Sequence, residues 1–330
     1  MKAIGLLSGG LDSALAIKLM REQQIEMVAV HFLTPFCTCD NNTGCGSGAH
    51  TLAQQLGVPL RVEFLGQEYL EIVKNPPHGY GKNLNPCIDC RILIFKRAKE
   101  IMQTLGASFV VTGEVLGQRP MSQHKRALKI IEEESGLQRL VVRPLSAKLF
   151  EPSLPEERGW VDRESLLDIS GRTRKPQLQL ANVFGIENYL CAAGGCLLTE
   201  SSFCGRVKDL CEHGTFDLEN AKLLRLGRHF RITSYFKLIV GRDQGENERL
   251  LKYNQHNYVL FQPKETKGPL ALGVGQMDEM IKGVSARIVA RYCSSVNGER
   301  HVSIAVLGPG GEEVVAVDKL DDKDIEQLRI

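Results

Sequence analysis

The start of the chain constrains its fold most. An apolar run, Ala3-Ile4-Gly5-Leu6-Leu7, has strand character and leads directly into Ser8-Gly9-Gly10-Leu11-Asp12-Ser13, after which apolar residues recur at helical spacing. A strand that turns through a glycine pair into a helix presents free amides and the positive end of a helix dipole at the strand's carboxyl end, which suits an anion. A Walker loop places a lysine on the outer phosphates, and no lysine stands here. What the loop offers instead is close backbone approach at Gly9 and Gly10, hydroxyls at Ser8 and Ser13, and a carboxylate, Asp12, placed to help hold magnesium beside phosphates. Nothing in it would position a nucleophile at a terminal phosphate, so it suits release of pyrophosphate.

The next segments repeat the alternation. Strands are predicted at 2–7, 26–32, 60–64 and 107–112, and helices at 11–23, 47–56, 87–105 and 121–134. This pattern predicts an α/β fold, a doubly wound parallel sheet with ligands at the carboxyl ends of its strands, where Thr112-Gly113-Glu114 joins the glycine loop. We read 1–150 as this domain and 151–214 as a proline-rich connector with helices near 162–168 and 177–186. Residues 215–330 read as a second, smaller α+β domain. It has a helix at 217–227, strands at 236–241, 258–262 and 271–275, a helix at 277–292, and a hairpin around Gly308 to Glu312.

No run approaches the ~18 apolar residues of a membrane span, and the first residues lack a signal pattern, so a cytoplasmic protein with no membrane partner is expected. With a formal net charge of only +2, the whole molecule does not read as an obvious polyanion binder. Charge is uneven, however: Lys222, Arg225, Arg228, Arg231, Lys237, Arg242, Arg249 and Lys252 face only Asp243, Glu246 and Glu248 in the same stretch. That excess is either an electrostatic footprint for nucleic acid or a solvated basic face. The 10 cysteines cluster as Cys37, Cys39 and Cys45, then Cys87 and Cys90, then Cys191, Cys196, Cys204 and Cys211, with Cys293 apart. In a reducing compartment such clusters point to metal or sulfur chemistry more than to structural disulfides.

Resemblance narrows the reading. Ser8-Gly9-Gly10-Leu11-Asp12-Ser13 resembles the signature of PP-loop ATP pyrophosphatases, with a HUP-like, adenine nucleotide alpha hydrolase-like fold, which adenylate a carbonyl oxygen so that it can leave. Thr112-Gly113-Glu114-Val115-Leu116-Gly117-Gln118, followed by Ser122-Gln123, is similar to a segment of tRNA 4-thiouridine synthetases. Asn85-Pro86-Cys87-Ile88-Asp89-Cys90 with Phe95-Lys96 is similar to a segment of tRNA 2-thiouridylases. So is Arg172-Thr173-Arg174-Lys175-Pro176 followed by Gly194-Gly195-Cys196. The likeness covers roughly residues 1–200 and mixes the two branches. The RNA-binding module and rhodanese domain of the first branch and the barrels of the second are not evident. Instead, Val240-Gly241-Arg242-Asp243 with Glu246-Asn247-Glu248 resembles the RNA-binding domain of NFACT proteins.

The resemblance implies ATP and Mg2+ held by Ser8, Gly9, Gly10, Asp12, Ser13, Thr112, Gly113, Glu114 and Gln118, and catalysis by Asp12, Cys87, Cys90 and Cys196. For Glu114 and Gln118 a helix cap after the strand is the competing reading, and for Arg172, Arg174 and Lys175 a solvated loop. His31, at a strand end, reads as a packing residue more than a base; the resemblance implies only that this strand end touches adenine. Replacing a carbonyl oxygen by sulfur also needs a soft nucleophile, and thiolate fits that need. Cys87 and Cys90 open a predicted helix, whose dipole is expected to lower their pKa. Either Cys196 carries a persulfide that a CxxC thiol resolves, or Cys87, Cys90 and Cys196 hold a [4Fe-4S] cluster, the reading favoured; zinc with a fourth cysteine ranks third. The loop with Cys37, Cys39 and Cys45 reads as local thiols, with a second metal loop or a lid as the rival, and Cys204, Cys211 and Cys293 as buried or surface thiols.

The expected activity is therefore ATP-dependent, AMP-forming tRNA thiolation, with tRNA and a sulfur donor (sulfide or a cysteine desulfurase) as partners and a homodimer allowed. Two rivals remain: an adenylating ligase or sulfur-insertion enzyme for a small carboxylate, and a non-catalytic RNA-binding or sulfur-sensing protein.

Overall fold

A computed structural model describes residues 1–37, 45–189, 196–253, 258–294 and 301–330. Cys39, Cys191, Gly194 and Gly195, and the side chain of Cys45, lie outside the described residues. The chain divides into two compact units, Met1–Glu200 and Ser201–Ile330.

The first unit has strands β1 (Lys2–Leu6), β2 (Glu26–Leu33), β3 (Leu60–Phe64), β4 (Phe109–Thr112) and β5 (Val141–Val142). Its helices are α1 (Leu11–Glu22), α2 (Cys45–Leu56), α3 (Gln67–Lys74), α4 (Cys87–Thr104), α5 (Lys125–Ser135), α6 (Leu154–Glu157) and α7 (Lys175–Phe184). All four strand pairs are parallel, in the order β3-β2-β1-β4-β5. β1 therefore lies where the strand order reverses, and its carboxyl end opens the crevice in which such sheets bind ligands.

Alternation along the strands divides the core. Ala3, Phe109 and Val111 face one side with Leu15 and Ile17 of α1, Leu52 of α2 and Ala181 of α7. Ile4, Leu6 and Val110 face the other with Phe95 and Ile101 of α4 and Ile131 of α5. Burial on both faces is why these strands read as nearly continuous apolar runs. The segment after β5 joins the first of these cores through Val161, Leu166, Ile169 and Ile186. Its predicted helix near 162–168 is only a 3-10 turn, Arg163–Ser165.

Helix α5 starts at Lys125, later than the predicted residue 121, because the preceding residues fold back on themselves: Gly117 N–H donates to Gln123 O at 2.6 Å and Gln123 N–H to Arg119 O at 3.0 Å. His124 then caps the helix, its Nδ1 accepting from the Ala127 amide at 3.2 Å.

The second unit contains α8 (Ser201–His213), α9 (Leu218–Leu223), β6 (Arg228–Thr233), β7 (Phe236–Val240), α10 (Gln244–Leu251) and β8 (Val259–Pro263). It continues with β9 (Ala271–Gly275), α11 (Glu279–Arg291), β10 (His301–Gly308), β11 (Gly311–Asp318) and α12 (Asp322–Leu328). Its sheet, β11-β10-β8-β9-β7-β6, is antiparallel throughout. One face carries Phe230, Phe236, Phe261 and Ile304 against Ile281, Ile288 and Val289 of α11; the other packs Ile239, Leu260 and Leu272 with Leu223 and Leu250.

Candidate active site

The loop after β1 is shaped from within. Gly9 sits at φ 82°, the left-handed region that glycine occupies without steric penalty. Gly10 caps α1 in extended conformation with no side-chain cap, which leaves the first-turn amides of a twelve-residue helix open. Ser13 is committed to the loop itself: its Oγ donates to Gly10 O at 2.8 Å and accepts from the Ser8 amide at 3.1 Å. The Ser8 hydroxyl lies 3.1 Å from it. Asp12 Oδ2 accepts from Gln118 Nε2 at 2.7 Å, and Gln118 Oε1 accepts from Gln177 Nε2 at 3.2 Å. The other carboxylate oxygen, Asp12 Oδ1, is buried with no hydrogen-bond partner among the described residues.

Gly113 brings the end of β4 onto this loop. A Cβ there would lie 2.4 Å from both Asp12 C and Ser13 N, so only glycine permits the approach. Thr112 donates to Glu114 Oε2 at 3.2 Å. Glu114 is fully buried and held by Arg143, 3.0 Å from Oε2, and Arg91, 3.4 Å from Oε1. It caps no helix. Its carboxylate neutralises two arginines, one of which, Arg91, follows Cys90 directly. Gly171 N–H donates to Leu116 O at 2.7 Å, which draws residues 170–177 to the same end of the sheet. Arg172 and Lys175 are exposed there, and the half-buried Arg174 keeps its Nε without a hydrogen-bond partner.

The thiols gather around α4. Cys87 opens the helix after Pro86, and the Cys90 amide donates to Pro86 O at 2.8 Å. Cys37 and Cys196 pair as a single antiparallel bridge, with Leu197 N–H donating to Phe36 O at 3.1 Å. Tyr69 Oη stands 3.7 Å from Cys196 Sγ. The expected lowering of thiol pKa does not occur. Burial pushes Cys90 up to about 12, and the charges of Cys196, Cys87 and Cys37 add to it against Arg91. Burial likewise pushes Cys196 up to about 11 and raises Cys87, the latter against Arg119 and Arg91. Loss of hydration outweighs the helix end here, so all three thiols are protonated at neutral pH.

Two arginines went unnoticed in the sequence. Arg119 is exposed by surface area, yet the crowding of its guanidinium, then Arg91, lower its pKa, while Cys87, Asp12 and Glu114 raise it. It is thus in electrostatic reach of both the glycine loop and the CxxC. Their signal was a basic residue directly after each motif, Cys90-Arg91 and Gln118-Arg119. His31 is buried, with Nδ1 2.7 Å from Leu7 O, and burial lowers its pKa, so it is a neutral ring fixed to the residue that follows β1.

In the second unit the basic footprint shrinks. Arg231 and Lys237 both bind Asp209, at 2.7 and 2.8 Å, and Arg242 pairs with Glu246. Asp243 caps α10, accepting from the Glu246 amide at 2.9 Å, and Asn247 accepts from Leu270 N–H at 3.1 Å. The Val240-to-Glu248 motif therefore builds a strand end, a turn and a cap. Lys222, Arg249 and Lys252 remain exposed.

The parallel sheet, the glycine loop at its switch point and the carboxylate with one open oxygen define an α/β domain with a loop suited to an anion, followed by an α+β domain. Residues 1–148 match the family described as thiamine biosynthesis protein (ThiI), and residues 227–329 match the NFACT protein RNA binding domain.

Among curated proteins, a probable tRNA sulfurtransferase of Thermococcus kodakarensis is 27% identical over 177 residues, 51% of this chain and 40% of that protein. The tRNA-specific 2-thiouridylase MnmA of Pelobacter propionicus is 29% identical over 122 residues, 34% of this chain and 33% of that protein. The chain thus spans less than half the length of these relatives. A 4-thiouridine synthetase–RNA complex with bound ATP aligns with 56% of this chain and 51% of its own at 22% identity and a TM-score of 0.36.

Proposed function

We propose that this chain is an ATP-dependent sulfurtransferase that adenylates a pyrimidine carbonyl of tRNA and replaces its oxygen by sulfur, releasing AMP and pyrophosphate. The observation that carries the reading is the 3.4 Å ion pair between Arg91, next to Cys90 of the CxxC, and Glu114, next to the Gly113 that packs on Asp12 and Ser13 of the glycine loop, so that a nucleotide end and a sulfur end are tied together. The sulfurtransferase and thiouridylase relatives support it.

ATP phosphates lie on the open amides after Gly9 and Gly10, with the helix dipole behind them. The donor chemistry fits magnesium: Asp12 Oδ1 is a buried carboxylate oxygen without a partner, and Gln118 fixes its other oxygen. The substrate oxygen attacks the α-phosphorus, and pyrophosphate leaves. Arg119 and Arg91 balance the charge that collects on the phosphates as it does so. Sulfur then displaces AMP from the activated carbon.

For the sulfur end, no group of three or more His, Cys, Asp or Glu side chains among the described residues is preset as a metal site. The donor set is three half-buried thiols, with Tyr69 Oη beside Cys196, and soft thiolate ligands of this kind fit an iron–sulfur group. Cys87, Cys90 and Cys196 would hold a [4Fe-4S] cluster, whose role when bound is to present sulfide as a nucleophile. The chain's own part is to deliver three thiols, surrender their protons on loading and keep water away from them. Sulfide, or sulfur from a cysteine desulfurase, is the donor. The family match of residues 227–329 and the exposed Lys222, Arg249 and Lys252 support tRNA as the substrate and RNA contact by the second unit.

The test is anaerobically reconstituted protein with ATP, magnesium, sulfide and bulk tRNA, digested to nucleosides. A thionucleoside and tRNA-dependent AMP are expected. AMP formed on a small carboxylate, with no thionucleoside, would move the reading to an adenylating ligase.

A further inference from the structure

Cys37 has no part in the chemistry above, yet it faces Cys196. The two residues pair across an antiparallel bridge. Leu197 N–H donates to Phe36 O at 3.1 Å, while the Cys37 amide donates to Thr34 O at 3.1 Å. The ladder bond thus joins the residues flanking the pair and not the pair itself, which makes Cys37 and Cys196 a non-hydrogen-bonded pair. In that register the Cα atoms lie about 4.5 Å apart with side chains on one face. A disulfide spans Cα separations of roughly 4.4–6.8 Å, so the bridge needs no backbone rearrangement to close.

Both strands are anchored. Phe36 is fully buried with its ring 6.2 Å from that of Tyr69, and Leu84 N–H donates to Leu198 O at 3.2 Å.

We propose that Cys37 and Cys196 form a reversible cross-strand disulfide in the unloaded chain, which closes the sulfur site until it is reduced. The step is thiol–disulfide exchange. A disulfide oxidant RSSR takes Cys37 into a mixed disulfide, and Cys196 sulfur displaces RS, giving Cys37–Cys196 and two RSH; a dithiol reverses it. The pair removes one of the three expected ligands, so loading with iron requires prior reduction. The disulfide itself does not depend on the proposed activity, whereas its consequence for loading rests on the cluster reading.

The experiment uses the full chain, freed of metal by chelation, oxidised with glutathione disulfide, blocked with N-ethylmaleimide and digested without reduction. Mass spectrometry is expected to find a Cys37–Cys196 linked peptide as the main cross-link. A predominant link within the CxxC, a link from the CxxC to Cys196, or glutathione adducts alone would overturn the proposal.

Cys37→Ser is expected to lose the link and, when reduced, to take up iron and sulfide as the unaltered chain does. After oxidation the unaltered chain is expected to lose uptake while Cys37→Ser retains it. Loss of iron in reduced Cys37→Ser would make Cys37 a ligand and overturn the proposal. Absence of iron in both proteins would overturn the cluster reading, and the peptide map still decides the disulfide.

Discussion

Gln118 Nε2 donates to Asp12 Oδ2 at 2.7 Å, so the segment after β4 orients the acid of the glycine loop and leaves Asp12 Oδ1 as the open donor. A partner that orients a metal-binding carboxylate is worth about 10- to 100-fold in metal affinity. Gln118→Ala is therefore expected to raise the magnesium concentration needed for AMP formation by that factor, with the fold unchanged. Asp12→Ala should abolish the magnesium response. An unaltered magnesium titration in Gln118→Ala would sink this role.

The two loop-side glycines differ in what they tolerate. Gly113 meets backbone atoms of Asp12 and Ser13 within 2.4 Å of a built Cβ, whereas Gly10 meets only Ser8 Oγ, at 3.5 Å. Gly113→Ala must push the loop away. It is expected to lose about 1–3 kcal/mol and most ATP affinity, while Gly10→Ala stays within about 0.5 kcal/mol of the unaltered chain. Denaturant midpoints and ATP titrations check both.

The raised thiol pKa values set a labelling order. With Cys90 pushed up to about 12 and Cys196 to about 11, both stay protonated at pH 7 and unreactive, since the thiolate is the nucleophile. Alkylation of these two in the native, metal-free chain is expected to lag the unfolded chain at pH 7 and to rise steeply as pH climbs above the ordinary thiol range. Fast labelling of Cys90 at pH 7 would show that the helix end prevails over burial after all.

Much of this was legible because two signals coincide. Apolar runs buried on both faces and the Gly9-Gly10 turn mark a parallel sheet and its ligand end, and the CxxC marks the start of α4. What stayed hidden is long-range. The Arg91–Glu114 ion pair at 3.4 Å, Arg119 near Asp12 and Cys87, and the pairing of Cys37 with Cys196 join positions that no local spacing relates. Thiol pKa was misjudged because a helix end is visible in sequence and burial is not. In the second unit, α8, β6, α10 and α12 were missed. Arg228–Thr233 carries two arginines, of which Arg231 is neutralised by Asp209, a distant partner in α8. How the basic excess divides between paired and exposed charges was hidden for the same reason.

Sorting those charges yields a prediction for RNA. Lys222, Arg249 and Lys252 are exposed, whereas Arg231 and Lys237 are bound to Asp209. Charge reversal at any of the first three is expected to weaken tRNA binding and to flatten the salt dependence by about one unit of slope for each phosphate no longer neutralised. Arg231→Gln should disturb folding more than binding. Equal tRNA affinity and salt slope in Lys222→Glu, Arg249→Glu and Lys252→Glu would remove this face from the RNA interface.

The Asp209 cluster also sets how the second unit responds to acid. Burial alone would raise the Asp209 pKa, but hydrogen bonds and charge from Arg231 and Lys237 prevail and hold it at about 2. A carboxyl depressed in the folded state stabilises it above the ordinary carboxylate pKa, and the contribution disappears as pH falls through the folded value. Unfolding free energy of the second unit should therefore decline between the ordinary value near 3.8 and about 2. Asp209→Asn leaves Lys237, buried with its pKa already lowered by burial, without its counter-charge. It is expected to cost about 3–5 kcal/mol at pH 7 and to remove that part of the acid dependence. Denaturant unfolding of the full chain at pH 7 and at a series of lower pH values measures both, and equal losses for Asp209→Asn and the unaltered chain across that window would rule the cluster out as the acid-sensitive element.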